Sequence, residues 1–145
     1  MVRIVIDCSV SARWILADEK SKASETLLRR ILERQVQLIV PVLWIYEMAN
    51  VLRSAVISKR IEPSLAFQAL ETIRKIPYER VSLEDAGVFG CLKGAIDSNL
   101  SVYDASYYYL AESKGLPLIT LDKDLLKLRK HASFIKSLDD FLELF

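Results

Sequence analysis

Four acidic residues stand where a chain could use them for chemistry: Asp7, Glu47, Asp104 and Asp122. Asp7 closes an apolar, β-rich run, and Asp122 closes a second one, Leu118-Ile119-Thr120-Leu121. Glu47 and Asp104 fall in the first turns of helical patterns. If the four converge, the cluster is unstable by itself, because like charges a few ångströms apart repel and raise one another's pKa values. Either protons or a cation must neutralise it. Hard oxygen ligands suit Mg²⁺ or Mn²⁺, which keep several waters and take one or two carboxylates each. The single histidine, His131, lies in a lysine-rich segment, which argues against a histidine-based zinc site. A divalent metal in an acidic cleft can clamp a phosphodiester, activate a water and stabilise the leaving oxygen.

The elements that must position these residues follow from periodicity and punctuation. Residues 2–6 read as a buried first strand ending at Asp7. A short helical segment with Trp14 and Leu16 follows, then an amphipathic helix with Ala23, Leu27, Leu28, Ile31 and Leu32 inward. Residues 37–40 are a second strand, stopped by Pro41. The next helix spans 43–58, with Trp44, Met48, Val51, Leu52 and Ala55 as its apolar face. Pro63 suits the first position of a further helix that buries Ala66, Ala69, Leu70 and Ile73. Residues 78–82 are a third strand, and Ser82-Leu83-Glu84-Asp85 has the form of a capping box opening a helix to about residue 96. Ser101 reads as the N-cap of the helix carrying Asp104, Gly115 ends it, and Pro117 bars its continuation. A short helix around Leu125, Leu126 and Leu128, a last strand at Phe134-Ile135 and a terminal helix over 138–145 complete the chain. Strands alternating with helices imply an α/β fold with a mainly parallel sheet. Right-handed crossovers then bring the strand ends, and the four carboxylates, to one edge.

Length and composition narrow the classes. At 145 residues the chain fits one domain, 1–145. With 52% hydrophobic residues it is not disordered, and a mean hydropathy of +0.21 hints at a buried subunit interface. A net charge of +1 creates no global field for nucleic acid, so any such contact must be local. Cys8 and Cys91 lack metal or C-x-x-C spacing and read as small buried apolar residues of an intracellular, cytoplasmic protein. No secretory signal is visible. The longest apolar run, residues 38–45, contains Pro41 and is too short to cross a bilayer.

The stretches V-I-D-C-S, Y-E-M-A-N-V-L-R and V-Y-D-A-S-Y-Y-Y-L-A-E-S-K-G-L-P-L-I-T-L-D-K-D-L resemble, in order and spacing, the PIN-domain ribonucleases, and among them the VapC-type toxins of toxin–antitoxin operons. The resemblance implies a PIN-like three-layer α/β/α sandwich and a Mg²⁺- or Mn²⁺-dependent endoribonuclease. It also implies a structured RNA substrate, a homodimer and inhibition by a small cognate antitoxin. The family's acidic positions fall on Asp7, Glu47, Asp104 and Asp122, its D-x-S/T hydroxyl on Ser9 and its T-x-D threonine on Thr120. Ser9 and Thr120 would stand behind the ligands. Asp124 is either a further ligand or a charge at a helix N-terminus.

Taken singly, each residue has a plainer job. Asp7 could cap the helix after the first strand, Ser101 and Asp104 could form a capping box, and Asp122 with Asp124 could mark a helix start. Glu47 favours the macrodipole, but a carboxylate amid Trp44, Ile45, Tyr46 and Met48 costs free energy unless something pairs with it. Tyr107, Tyr108 and Tyr109 suggest core and dimer contacts rather than base stacking. Arg13 and Arg53, each six residues after an acidic position, could reach phosphate. Lys123, Lys127, Arg129 and Lys130 read as a solvated basic face, with RNA contact the minority reading. Two rival classes remain. A haloacid-dehalogenase-type phosphatase wants a second acid where Ser9 stands, and a response-regulator receiver wants an acidic pair after the first strand. A non-catalytic PIN-fold interaction module, or an RNA-processing nuclease outside a toxin–antitoxin pair, are the alternatives within the resemblance.

Overall fold

In a computed structural model, which describes residues 1–144, strands and helices alternate as the sequence implies. β1 (Val2–Ile6) leads to α1 (Cys8–Ile15), a 3-10 turn and α2 (Lys22–Leu32); β2 (Val36–Pro41) leads to α3 (Leu43–Ile57) and α4 (Pro63–Lys75). β3 (Tyr78–Val81) leads to α5 (Asp85–Ser98) and α6 (Val102–Lys114). β4 (Leu118–Thr120) leads to α7 (Lys123–Leu126), a second 3-10 turn, β5 (Ile135–Ser137) and α8 (Leu138–Glu143).

The sheet is wholly parallel, in the order β3-β2-β1-β4-β5. Parallel neighbours cannot be joined by tight turns, so helices must carry the chain back between strands. The chain moves outward from β1 to β2 and β3, then returns across the sheet to β4 on the far side of β1. Because such crossovers are right-handed, this reversal puts α1 to α4 on one face and α5 and α6 on the other, a three-layer sandwich. It also opens a crevice at the carboxyl ends of β1 and β4, where the outgoing segments part to opposite faces. Val5 is in register with Leu118 and Ile6 with Ile119, so Asp7 emerges beside Thr120.

Burial on both faces explains the near-continuous apolar strands. Ile4, Val5, Ile6, Leu38, Ile39, Val40, Leu118 and Ile119 are fully buried, and Trp44, Met48 and Tyr107 close the core at the crevice end. Trp44 donates its indole N–H to Ser11 Oγ at 2.9 Å, docking α3 on α1.

Several boundaries differ from expectation for identifiable reasons. The capping box expected at Ser82 does not form: Leu83 packs into the small cluster of Cys91, Ala95 and Ala105, and α5 starts at Asp85 behind Glu84, with no side-chain cap. Pro41 is the last residue of β2 rather than its stop, and the final strand is Ile135–Ser137, one residue later than Phe134-Ile135. Of the face expected to be buried on α4, only Ile73 is, while Ala66, Ala69 and Leu70 are half-covered. Leu32, expected inward on α2, is exposed. The terminal helix ends at Glu143, and Phe145, which it was expected to reach, lies outside the described residues. Among the described residues no helix is long and apolar enough to cross a membrane.

Candidate active site

Asp7 occupies the N-cap position of α1, yet its side chain makes no capping bond. It is turned instead between the ends of β1 and β4, against Ser9 and Thr120, where it is 4% exposed. Ser9 Oγ donates to Oδ1 at 2.5 Å, and Thr120 Oγ1 donates to Oδ2 at 2.9 Å. The same hydroxyls accept from the backbone beyond β4: Leu121 N–H donates to Ser9 Oγ at 2.9 Å and Asp122 N–H to Thr120 Oγ1 at 3.0 Å. Ser9 and Thr120 therefore lock Asp7 and tie the ends of β1 and β4 together. Burial pushes the Asp7 carboxyl up to about 7; the two hydroxyl bonds oppose the shift, and the charges of Asp122 and Asp104 add to it.

Glu47 reaches the same region from the second turn of α3 and is half-buried. The Tyr107 hydroxyl donates to its Oε1 at 2.5 Å. Burial raises the Glu47 pKa, the Tyr107 bond opposes that rise, and the charge of Asp104 adds to it. Asp104 sits in the first turn of α6, where its backbone N–H is capped by Ser101 Oγ at 3.0 Å. Its carboxyl is raised by burial first and by the charge of Asp122 next; a Ser101 bond opposes, and Asp124 adds. Asp122 follows β4 and does cap α7, its Oδ1 accepting from Asp124 N–H at 2.9 Å and Leu125 N–H at 3.0 Å. Capping engages one oxygen, while the charge still reaches Asp7 and Asp104. Asp124 is exposed at the rim, its carboxylate 3.6 Å from Lys127 Nζ.

Asp104 is thus the common member of the cluster, felt by Asp7 and Glu47 and itself feeling Asp122 and Asp124. The ion pairs among the described residues all engage other acids than Asp7, Glu47, Asp104 and Asp122, so none of them neutralises the crevice. Nor, among the described residues, do three or more His, Cys, Asp or Glu side chains already surround a single metal position. The charges of Asp104 and Asp122 raise the proton affinity of their acidic neighbours, but the side chains do not close on a single point. Their all-oxygen chemistry and missing counter-charge fit a hard divalent cation that keeps its waters. The Cys8 thiol, beside Tyr107 at 3.7 Å, is pushed up by burial and stays protonated, so it adds no soft ligand.

The structure adds one residue to the sequence reading. Tyr107 was expected in the core and at a dimer contact; it is core, 1% exposed, but its hydroxyl is aimed at Glu47. The available signal was its place three residues after Asp104, on the same helical face. Tyr108 packs edge-on against Phe134, and Tyr109 packs on α5 beside Gly87 and Gly90. Arg53 lines a groove between α3 and α4, and Arg13 is half-buried in the last turn of α1; neither pairs with the acids.

Comparison with known proteins agrees with this geometry. The sequence matches the PIN domain over residues 4–131. Exonuclease VapC9 of Pyrobaculum aerophilum is 36% identical over 96 residues, which are 66% of this chain and 70% of that protein. The crystal structure of PAE2754 from Pyrobaculum aerophilum covers 98% of this chain and 95% of its own, with a TM-score of 0.69 and 27% identity. The chain belongs to the PIN-domain family, among its VapC-type members.

Proposed function

We propose that this chain, as a single PIN domain over residues 1–145, is a Mg²⁺- or Mn²⁺-dependent endoribonuclease and the toxin of a type II toxin–antitoxin pair. The observation that carries the reading is Asp7: a buried carboxylate clamped by two hydroxyls, in a crevice with three further acids that no ion pair neutralises among the described residues. Asp7, Glu47, Asp104 and Asp122 would hold the ion, and Asp124 stands at the rim. Bound there, a divalent ion would supply Lewis-acid polarisation of the phosphodiester and a water made acidic enough to attack it. The chain's own residues do the rest. Ser9 and Thr120 keep Asp7 in one orientation, Tyr107 does the same for Glu47, and carboxyls whose proton affinity is raised can take a proton from water.

Two apolar surfaces support the protein partners of this reading. One is the outer face of α5, where Val88, Phe89, Leu92 and Ile96 are exposed, suited to a second copy. The other is the groove between α3 and α4, lined by Leu52, Val56, Ile57, Phe67 and Leu70, suited to an antitoxin segment. A cytoplasmic location fits a toxin that meets RNA and antitoxin.

The name of the Pyrobaculum relative says exonuclease, so the mode of attack is part of the test. Circular and linear forms of one RNA are incubated with Mn²⁺, Mg²⁺ or EDTA, beside Asp104→Asn. Metal-dependent opening of the circle, absent in the variant, is the expected result. Trimming of the linear form alone would replace internal by terminal cleavage. Full activity in a folded Asp104→Asn protein would remove the site assignment, and a wild type that binds neither metal nor RNA would leave an interaction module.

A further inference from the structure

Just beyond Asp122 four cations gather within eight residues. Lys123, Lys127, Arg129 and Lys130, with Leu126 between them, line a shallow cleft of about 430 Å³ over α7 and the turn after it. Two of the four are tethered. Arg129 Nε donates to the Leu126 carbonyl at 3.1 Å and its guanidinium lies 3.5 Å from Asp140, while Lys127 Nζ lies 3.6 Å from Asp124. Lys123 and Lys130 take part in none of the ion pairs among the described residues.

A basic run on an exposed turn is ordinarily a solvated face. Three features set this one apart. The chain as a whole carries a net charge of only +1, so the concentration of cations here is local. The side chains line a concavity rather than a ridge. The cleft also begins where the acidic crevice ends: Asp122 caps the helix whose first residue is Lys123, and Asp124, the partner of Lys127, is near enough for Asp104 to feel its charge.

The chemistry of a polyanion requires such a neighbour. Neutralising the acids at the centre accommodates one phosphate, but the phosphates on either side still meet a field of like sign. Cations beside the crevice offset that repulsion by displacing counterions from the nucleic acid. The lining holds no aromatic side chain on which a base could stack, and flexible lysines read charge rather than base edges. We propose that this cleft is the seat of the phosphate backbone flanking the scissile bond of an RNA substrate, bound without regard to base sequence. The proposal rests on the nuclease reading above and extends it to the path of the substrate.

The test measures binding of a short fluorescein-labelled single-stranded RNA by anisotropy, in EDTA, across a salt series. Wild type is compared with Lys123→Ala/Lys130→Ala, which breaks no ion pair, and with Lys20→Ala/Lys22→Ala at the start of α2, which removes the same charge elsewhere and likewise breaks none. The cleft variant is expected to bind about tenfold more weakly, with a log K against log salt slope shallower by about 1.4, from ~0.7 for each lost phosphate contact. In Mn²⁺ the corresponding loss lies in KM rather than in kcat. Equal affinity and slope in wild type and the cleft variant, with wild type still cleaving, would overturn the cleft and leave the nuclease standing. Equal losses in the two double variants would overturn it too. Wild type that neither binds nor cleaves RNA would overturn both.

Discussion

Both oxygens of the Asp7 carboxylate accept hydroxyl hydrogen bonds, and still burial holds the group near 7 against an ordinary value of 3.8. The folded state therefore binds this proton more tightly than the unfolded chain. Stability from the neutral form is fully present below about pH 4 and is lost as pH rises through about 7. In EDTA, the melting temperature should fall across that window, with Asp7 accounting for up to about 4 kcal/mol. Asp7→Asn should flatten that part of the profile and melt higher than wild type at about pH 8, at the cost of activity; an unaltered profile in the variant would refute it. Adding Mn²⁺ at that pH should restore wild-type stability, because the ion favours the charged form. Tyr107 makes a second residue-scale prediction. Removing its hydroxyl leaves half-buried Glu47 with only the weak Cys8 thiol as a side-chain donor, a loss of about 1 kcal/mol in stability. Tyr107→Phe should therefore fold, and calorimetric titration should give Mn²⁺ binding weaker by roughly 3- to 10-fold, with cleavage recovered at higher metal. Wild-type Mn²⁺ affinity in the variant would make Tyr107 a packing residue only.

At the scale of elements, the α5–α6 hairpin is held by small residues that let the helices approach. A Cβ on Gly90 would come within 2.6 Å of the Tyr109 ring, whereas one on Gly94 meets nothing within 4 Å. Gly94→Ala should stabilise by up to about 1 kcal/mol through helix propensity alone. Gly90→Ala gains the same propensity but must displace the ring, and should lose about 1–3 kcal/mol of packing. Opposite shifts in melting temperature are expected; a rise in both would mean Tyr109 swings aside freely. Helix ends were legible where local chemistry sufficed. Ser101 caps α6 as read, and Gly115 closes it in the left-handed conformation (φ 64) that only a residue without Cβ adopts cheaply. Ser82, by contrast, makes no cap: Leu83 packs against Cys91, Ala95 and Ala105, and α5 begins at Asp85.

Across the whole molecule, the reversal of the chain after β3 creates the crevice and leaves apolar faces bare. Phe89 is 75% and Ile96 71% exposed on α5. If a second copy covers them, sedimentation equilibrium should give a dimer, and Phe89→Glu/Ile96→Glu should give a monomer with an unchanged far-UV spectrum. A wild type that sediments as a monomer at all concentrations would assign that face to another partner.

By itself the sequence determined the run of strands and helices, the α/β class, and the placing of Asp7, Glu47, Asp104 and Asp122 at the ends or beginnings of elements. Those features rest on periodicity and caps that act over a few residues, so the local chain carries them. Tertiary structure decided the rest. That Asp7 is clamped rather than capping depends on Thr120, 113 residues away, and the Tyr107–Glu47 bond spans 60 residues. The half-covered face of α4 and the bare face of α5 likewise look, in sequence, like any buried stripe. Contacts at such separations exist only once strand order and register are set, and strand order is a property of the packed sheet rather than of any stretch within it.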